Sequence, residues 1–176
     1  SDAAYKDDVA GFLEYLYSGY FHPQQRPLYA NIIETRDPLV WNRYLQFLDG
    51  AMLEDFALGW DSYLNPFEWE QHMRMAETAQ AQGKYAILVS QGAQNDLARQ
   101  QFAFASYMLV ANGFASFRYA DADYYDEAWM YENYRLALGA PLGMRYQEGG
   151  AWRRDFENGT VSVDPAWHTA GIELKP

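Results

Sequence analysis

Apolar residues recur at Val9, Phe12, Leu13, Leu16, Tyr17 and Tyr20, at the three- and four-residue steps of one helical face. They predict a helix from about Lys6 that His22-Pro23 ends. Two Asx-Pro pairs mark further helix starts: Asp37-Pro38 opens a helix to about Phe47, and Asn65-Pro66 opens one through Trp69, Met73 and Ala76 to Gly83. In both, the side-chain oxygen can accept from free first-turn amides, and proline gives up an N–H that has no partner there. Asn95 or Asp96 caps another helix, carrying Leu97, Phe104, Tyr107, Met108 and Val110 and closed by Gly113. Glu127 to Leu138, followed by Gly139 and Pro141, predicts one more. Between these lie short apolar runs bounded by turn residues: Leu28 to Ile33, Ala51 to Leu53, Tyr85 to Val89 and Phe114 to Tyr119. Runs of that length fit strands covered on both faces.

The tail has a different pattern. Trp152 to Phe156 and Thr160 to Val163 are extended runs joined through Glu157-Asn158-Gly159, a hairpin signal that also accounts for the sequon Asn158-Gly159-Thr160. Strand starts near residues 28, 50, 85, 114 and 152 alternate with helices, which predicts a mostly parallel α/β sheet. No glycine-rich phosphate loop follows any strand, so a dinucleotide fold has no support and a barrel is preferred. A full eight-unit barrel takes about 250 residues. The fold expected is therefore a partial (β/α) TIM-type barrel with a C-terminal β-hairpin. Residues 1–176 would be a single domain, standing for the carboxyl-terminal portion of a (β/α)8 barrel. Such a piece leaves strand edges and an apolar interior uncovered, which predicts a homo-oligomer or a missing amino-terminal barrel segment.

Composition narrows the function classes. The chain is 49% hydrophobic with no apolar run near membrane-span length, so it reads as one globular domain without a membrane partner. A net charge of −11 argues against a nucleic-acid partner, whose phosphates are met by Lys and Arg. With no cysteine, disulfides and thiolate metal sites are excluded and the compartment is unreadable. The three histidines, His22, His72 and His168, have no ligand-spaced companions, and no cofactor is implied. Aromatic residues reach 18%; they suit stacking on sugars but equally fill cores.

Several stretches together resemble a known family: Asp49-Gly50-Ala51-Met52-Leu53-Glu54-Asp55; Tyr85-Ala86-Ile87-Leu88-Val89; Leu138-Gly139-Ala140-Pro141-Leu142-Gly143; and Arg154-Asp155-Phe156-Glu157-Asn158-Gly159-Thr160-Val161 with Val163-Asp164-Pro165. In their order, from about Leu28 to Pro165, they are similar to the TIM-barrel glycoside hydrolases, most of all to hypothetical glycosyl hydrolase family 15. The resemblance implies a barrel whose fourth strand carries an Asp-Gly-x-x-x-Asp-type signature ending in a carboxylate. That carboxylate corresponds to Glu54, where such barrels carry Asp.

In strand-helix sheets, function gathers at the carboxyl ends of strands, which here are Glu54-Asp55, Ser90-Gln91-Gly92, Asp121 with Asp123, and Glu34-Thr35-Arg36. Glycoside hydrolysis generally takes two carboxyl groups, one protonated and one ionised, about 5 to 9.5 Å apart. Glu54 and Asp121 are the catalytic candidates, with Glu157 and Asp155 behind them. The expected substrate-binding residues are Asp55, Trp60, Gln91, Arg118, Tyr119 and Arg154, with Tyr63 and Tyr124 as further stacking surfaces. The plainer alternatives are that Asp121 caps the following turn, that Glu54 pairs with Arg118, and that Arg118 and Arg154 are structural ion pairs. The expected function is glycoside hydrolysis of a poly- or oligosaccharide through paired carboxylates. The alternative is a non-catalytic carbohydrate-binding or assembly module on a partial barrel.

Overall fold

A computed structural model describes residues 2–32, 37–60, 62–121 and 123–175. The chain runs α1 (Asp2–Leu16), β1 (Tyr29–Asn31), α2 (Pro38–Leu45), β2 (Gly50–Leu53), α3 (Pro66–Ala81), β3 (Tyr85–Gln91), α4 (Leu97–Val110), β4 (Ala115–Ala120), then β5 (Tyr146–Glu148), β6 (Ala151–Phe156), β7 (Gly159–Asp164) and β8 (Thr169–Leu174). The caps act as their chemistry dictates. Asp37 accepts from the Leu39 amide, Asn65 from Phe67 and Glu68, and Asp96 from Arg99, all at 3.0 Å. Gly83 and Gly113, which follow α3 and α4, have φ of 69° and 90°, the left-handed region that glycine enters freely.

The first four strands form one parallel sheet in the order β1-β2-β3-β4. Its register sets the faces. Ala51, Ala86 and Ala115 are aligned, as are Leu53, Leu88 and Phe117, and these face the helices. There Trp41, Leu45, Trp69, Met73, Phe102 and Leu109 are buried beside them, and the Phe117 ring meets Phe104 and Tyr107 of α4. The opposite face aligns Asn31, Met52, Ile87 and Ser116, which are exposed or half-buried. Parallel sheets ordinarily bury both faces; among the described residues, this one packs its helices on a single side. Gly50 opens β2 where a side chain would collide with the Tyr85 carbonyl and the Tyr29 ring, so glycine permits the three strands to start together.

The second sheet, β5-β6-β7-β8, is antiparallel and separate. The expected hairpin is its centre: Phe156 pairs with Gly159 across a turn at Glu157 and Asn158. The segment starting near 152 is thus not a fifth parallel strand. This sheet lies across α4 and is fastened to α3 by Arg145, whose guanidinium bonds Glu70 and Glu77 at 2.6 to 3.0 Å and stacks 4.0 Å from the Trp152 ring centroid. Loss of one partner from a buried cluster of this kind costs about 3 kcal/mol.

Two expected helices differ. The stretch from Glu127 to Leu138 is irregular, with one 3-10 turn at Glu132–Arg135. Its rings explain this: Tyr131 and Tyr134 point inward against Tyr119, Phe104 and Phe117, at spacings set by the sheet surface rather than a helical stripe. In α1 only Ala10 and Leu13 are buried, while Phe12 stays 58% exposed.

On α3, His72 is 3% exposed, and burial pushes its pKa down to about 4. The fold therefore holds it neutral. Since the unfolded chain takes up the proton near pH 6.5, the stabilisation is complete above that pH and is lost as pH falls from 6.5 towards 4, by about 3 kcal/mol in all. Urea unfolding across pH 7 to 4 is expected to show this slope, and His72→Leu to remove it. An unchanged slope in the variant would assign the acid sensitivity to other groups.

Candidate active site

The parity that puts Met52 on the helix-free face puts Glu54, two residues on, there as well, beyond the carboxyl end of β2. Asn31, Gln91 and Arg118 share that face from β1, β3 and β4. The four meet in a hydrogen-bonded cluster completed by Tyr125 from the loop after β4. The Asn31 amide donates to Glu54 Oε2 at 2.7 Å, and the Tyr125 hydroxyl donates to Glu54 Oε1 at 2.9 Å. Gln91 Nε2 donates to the Tyr125 hydroxyl at 2.6 Å and lies 3.5 Å from the Glu54 carbonyl oxygen. Gln91 is 3% exposed, and its backbone carbonyl accepts from Arg99 Nε at 2.8 Å, which pins the end of β3 to the start of α4. Burial first, and the bond to Glu54 second, raise the Tyr125 pKa above the ordinary phenol value.

Arg118 does not pair with Glu54. Its guanidinium donates to the carbonyl oxygens of Tyr125 and, at 2.9 Å, Glu127, and sits 5.2 Å from the Tyr125 ring centroid. It latches the loop that carries Tyr125. Asp121 is half-buried beyond β4, and its carboxylate accepts from the Asp123 amide at 2.9 Å within its own turn. Among the described residues no hydrogen bond joins it to the Glu54 cluster. Asp55 takes the opposite parity from Glu54 and is half-buried.

The remaining expected site residues are scattered. Tyr119 is 1% exposed on the helix side, its hydroxyl 3.4 Å from the Ala93 carbonyl, so it packs the core and offers no face to a ligand. Trp60 is exposed; Tyr63 stacks on His168 at 4.4 Å and under Arg99; Tyr124 is exposed beside Tyr125. Arg154, 2% exposed, was expected to need a carboxylate or an anion. It instead donates to the carbonyls of Gly143, Met108 and Ala111 at 2.7 to 3.1 Å, closing the carboxyl end of α4. Burial draws its pKa down. It lies at the far end of the strands from Glu54, because α4 runs antiparallel to β3 and β4. Asp155 and Glu157 serve the second sheet, accepting from Tyr146 and Thr160 and from the Ala140 amide. Glu34, Thr35 and Arg36 lie outside the described residues.

The sequence offered no route to Asn31 or Tyr125. Asn31 lies mid-run in a predicted strand, and Tyr125 is one of 15 tyrosines inside an expected turn. Only the pairing Asn31↔Met52 and the Arg118 latch bring them to Glu54. A concavity of about 460 Å³ lies instead at the amino ends of the strands, lined by residues including Arg26, Tyr29, Asp49, Tyr85 and Phe114. It contains none of the convergent groups found around Glu54. Among the described residues no three His, Asp or Glu side chains converge as a metal-ligand set.

If Arg118 holds the loop, Arg118→Met frees it by removing two charge-assisted bonds. Chymotryptic cleavage at Tyr124 and Tyr125 is then expected to rise at least about tenfold, read by mass spectrometry of a limited digest. A digest like that of the parent would show that other contacts seat the loop.

No curated protein matches the chain, but the family model described as hypothetical glycosyl hydrolase family 15 matches residues 2–160, from α1 through the whole parallel sheet to the start of β7. The chain belongs to hypothetical glycosyl hydrolase family 15.

Proposed function

We propose that the protein is a glycoside hydrolase acting on a poly- or oligosaccharide, with Glu54 as one reacting carboxylate. The observation that carries this is the placement of Glu54 at the carboxyl end of a central parallel strand, on the helix-free face, with both carboxylate oxygens held by side chains of other segments. Carboxylates set in this way supply the ionised partner in glycoside cleavage. Family membership supports the same chemistry. A second reading, a saccharide-binding module without hydrolysis, draws support from Asp121, whose carboxylate is engaged by its own turn rather than directed to Glu54. Hydrolysis of a polysaccharide and aryl-glycoside panel is expected from the parent protein and to fall at least about a hundredfold in Glu54→Gln. Equal rates would take Glu54 out of the reaction. Binding without hydrolysis in both proteins would establish the second reading.

The finer fold proposal is that the parallel sheet is part of a TIM-type barrel and its helix-free face the barrel interior. Support comes from the sequential order β1-β2-β3-β4, the helices on one side only, and the half-buried Met52 and Ile87 on the other. For the isolated 176-residue chain, the available cover is a second copy. Light scattering at tens of micromolar is expected to give about twice the 20.3 kDa of one chain. A stable monomer would remove the barrel proposal in this form.

A further inference from the structure

The chain Gln91, Tyr125, Glu54, Asn31 is directional, and its direction assigns roles. Gln91 has two possible ends, but its nitrogen lies 3.5 Å from the Glu54 carbonyl oxygen, which can only accept, so the amide presents N–H to both Glu54 and the Tyr125 oxygen. With its oxygen occupied by that donor, the phenol turns its own hydrogen to Glu54 Oε1. Asn31 supplies a second hydrogen at Oε2. Tyr125 and Asn31 each direct a hydrogen to the Glu54 carboxylate, and Gln91 directs one to the Tyr125 oxygen. With one donor at each oxygen, the ionised carboxylate is the stronger acceptor for both.

We propose that Tyr125 is a positioning residue that holds Glu54 as the ionised, nucleophilic member of the carboxyl pair, and that Arg118 sets Tyr125 through the loop backbone. The proposal rests on the reading of Glu54 as a reacting group. It excludes the role of proton donor for Glu54 and requires the acid to come from outside the cluster. It also excludes Tyr125 as the nucleophile. Burial and the neighbouring carboxylate hold the phenol protonated, so it serves as a donor. Arg118 is part of the device: its guanidinium lies against the Tyr125 ring and binds the carbonyls of Tyr125 and Glu127, which fixes the ring plane and the approach of the hydroxyl. Gln91, 3% exposed and tied to Arg99, fixes the far side. Both supports act on Tyr125, and neither touches the Glu54 carboxylate.

Two measurements test this, one independent of catalysis. In protein carrying ring-labelled tyrosine, the Tyr125 signal, identified by its absence in Tyr125→Phe, is expected to titrate above the ordinary phenol range and to move down in Glu54→Gln, since the acceptor and its charge are removed. The second measurement uses a panel of mechanism-based glycosidase inactivators, fluorosugar fluorides and cyclitol epoxides, with the labelled residue located by mass spectrometry. Glu54 is expected to carry the label. Tyr125→Phe is expected to slow inactivation about ten- to a hundredfold at saturating reagent with little change in the half-saturating concentration, because the hydroxyl orients the carboxylate rather than the sugar. A Tyr125 signal that ignores Glu54→Gln, or labelling in Tyr125→Phe as fast as in the parent, would overturn the proposal. So would trapping of a group other than Glu54 as nucleophile with Glu54 acting as the acid. If no reagent labels the parent while the Tyr125 signal still responds to Glu54→Gln, the hydrogen-bonded pair stands but Glu54 is not a nucleophile and the proposal is overturned; hydrolysis of the glycoside panel by the parent then shows whether the hydrolase reading survives by an inverting route.

Discussion

Strand parity is the constraint on which the site depends. Because successive residues of a strand face opposite sides, one register fixes every side chain of the parallel sheet at once. Gly50 sets that register by letting β1 and β3 close on the start of β2, where any side chain would strike the Tyr29 ring and the Tyr85 carbonyl. From there the count is forced. Ala51 and Leu53 go to the helices, and Met52 goes to the open face. A slip of one residue would bury the Glu54 carboxylate among Trp41, Leu45 and Trp69 and turn Leu53 out. The apolar core therefore protects the placement of the polar cluster without touching it.

Arg145 and Arg154 show how differently one chemical demand can be met. Arg145 satisfies its guanidinium with two carboxylates and an indole face, and so joins the second sheet to α3 through charge. Arg154 meets three carbonyl oxygens and no carboxylate, using a cation to close the negative end of α4. Both hold the antiparallel sheet against the helices, on the side away from Glu54. That sheet thus acts as a brace on the outer layer. With α3 and α4 held from behind, the strand ends they follow keep a fixed spacing.

Local chemistry made much of this legible in the sequence. The caps at Asp37, Asn65 and Asp96, the glycine stops and the short apolar runs each act over a few residues, and each is found where its chemistry puts it. The stretch 127–138 was misread because its aromatic spacing mimics a helix, while its rings are collected by the surface of β4 and α4. The hairpin at 152–163 was legible from its Asn158-Gly159 turn, but its first run was also counted with the alternating strands, because a hydrophobic run carries no sign of which sheet it will join. In the site, Glu54 and Gln91 were visible as strand-end polar residues. Arg118 was visible as a charge within a strand, though its partners are carbonyls rather than a carboxylate. Asn31 and Tyr125 were not, since their relation to Glu54 spans 23 and 71 residues and exists only in the folded arrangement.

The length of the side chain at position 54 connects the fold to the chemistry. Position 54 carries glutamate rather than the shorter aspartate. One methylene extends the carboxylate by about 1.5 Å, more than the difference between a formed hydrogen bond and a lost one. With glutamate, the two oxygens reach Asn31 on the adjoining strand at 2.7 Å and Tyr125 on a distant loop at 2.9 Å. An aspartate on the same backbone would stop short of both. Tyr125 must therefore come inward only as far as a glutamate can meet it, and the Arg118 latch, acting on the Tyr125 and Glu127 carbonyls, holds the loop at that depth. The longer acid and the latched loop work as one arrangement, in which a flexible carboxylate is made rigid by two donors that a shorter one would not reach.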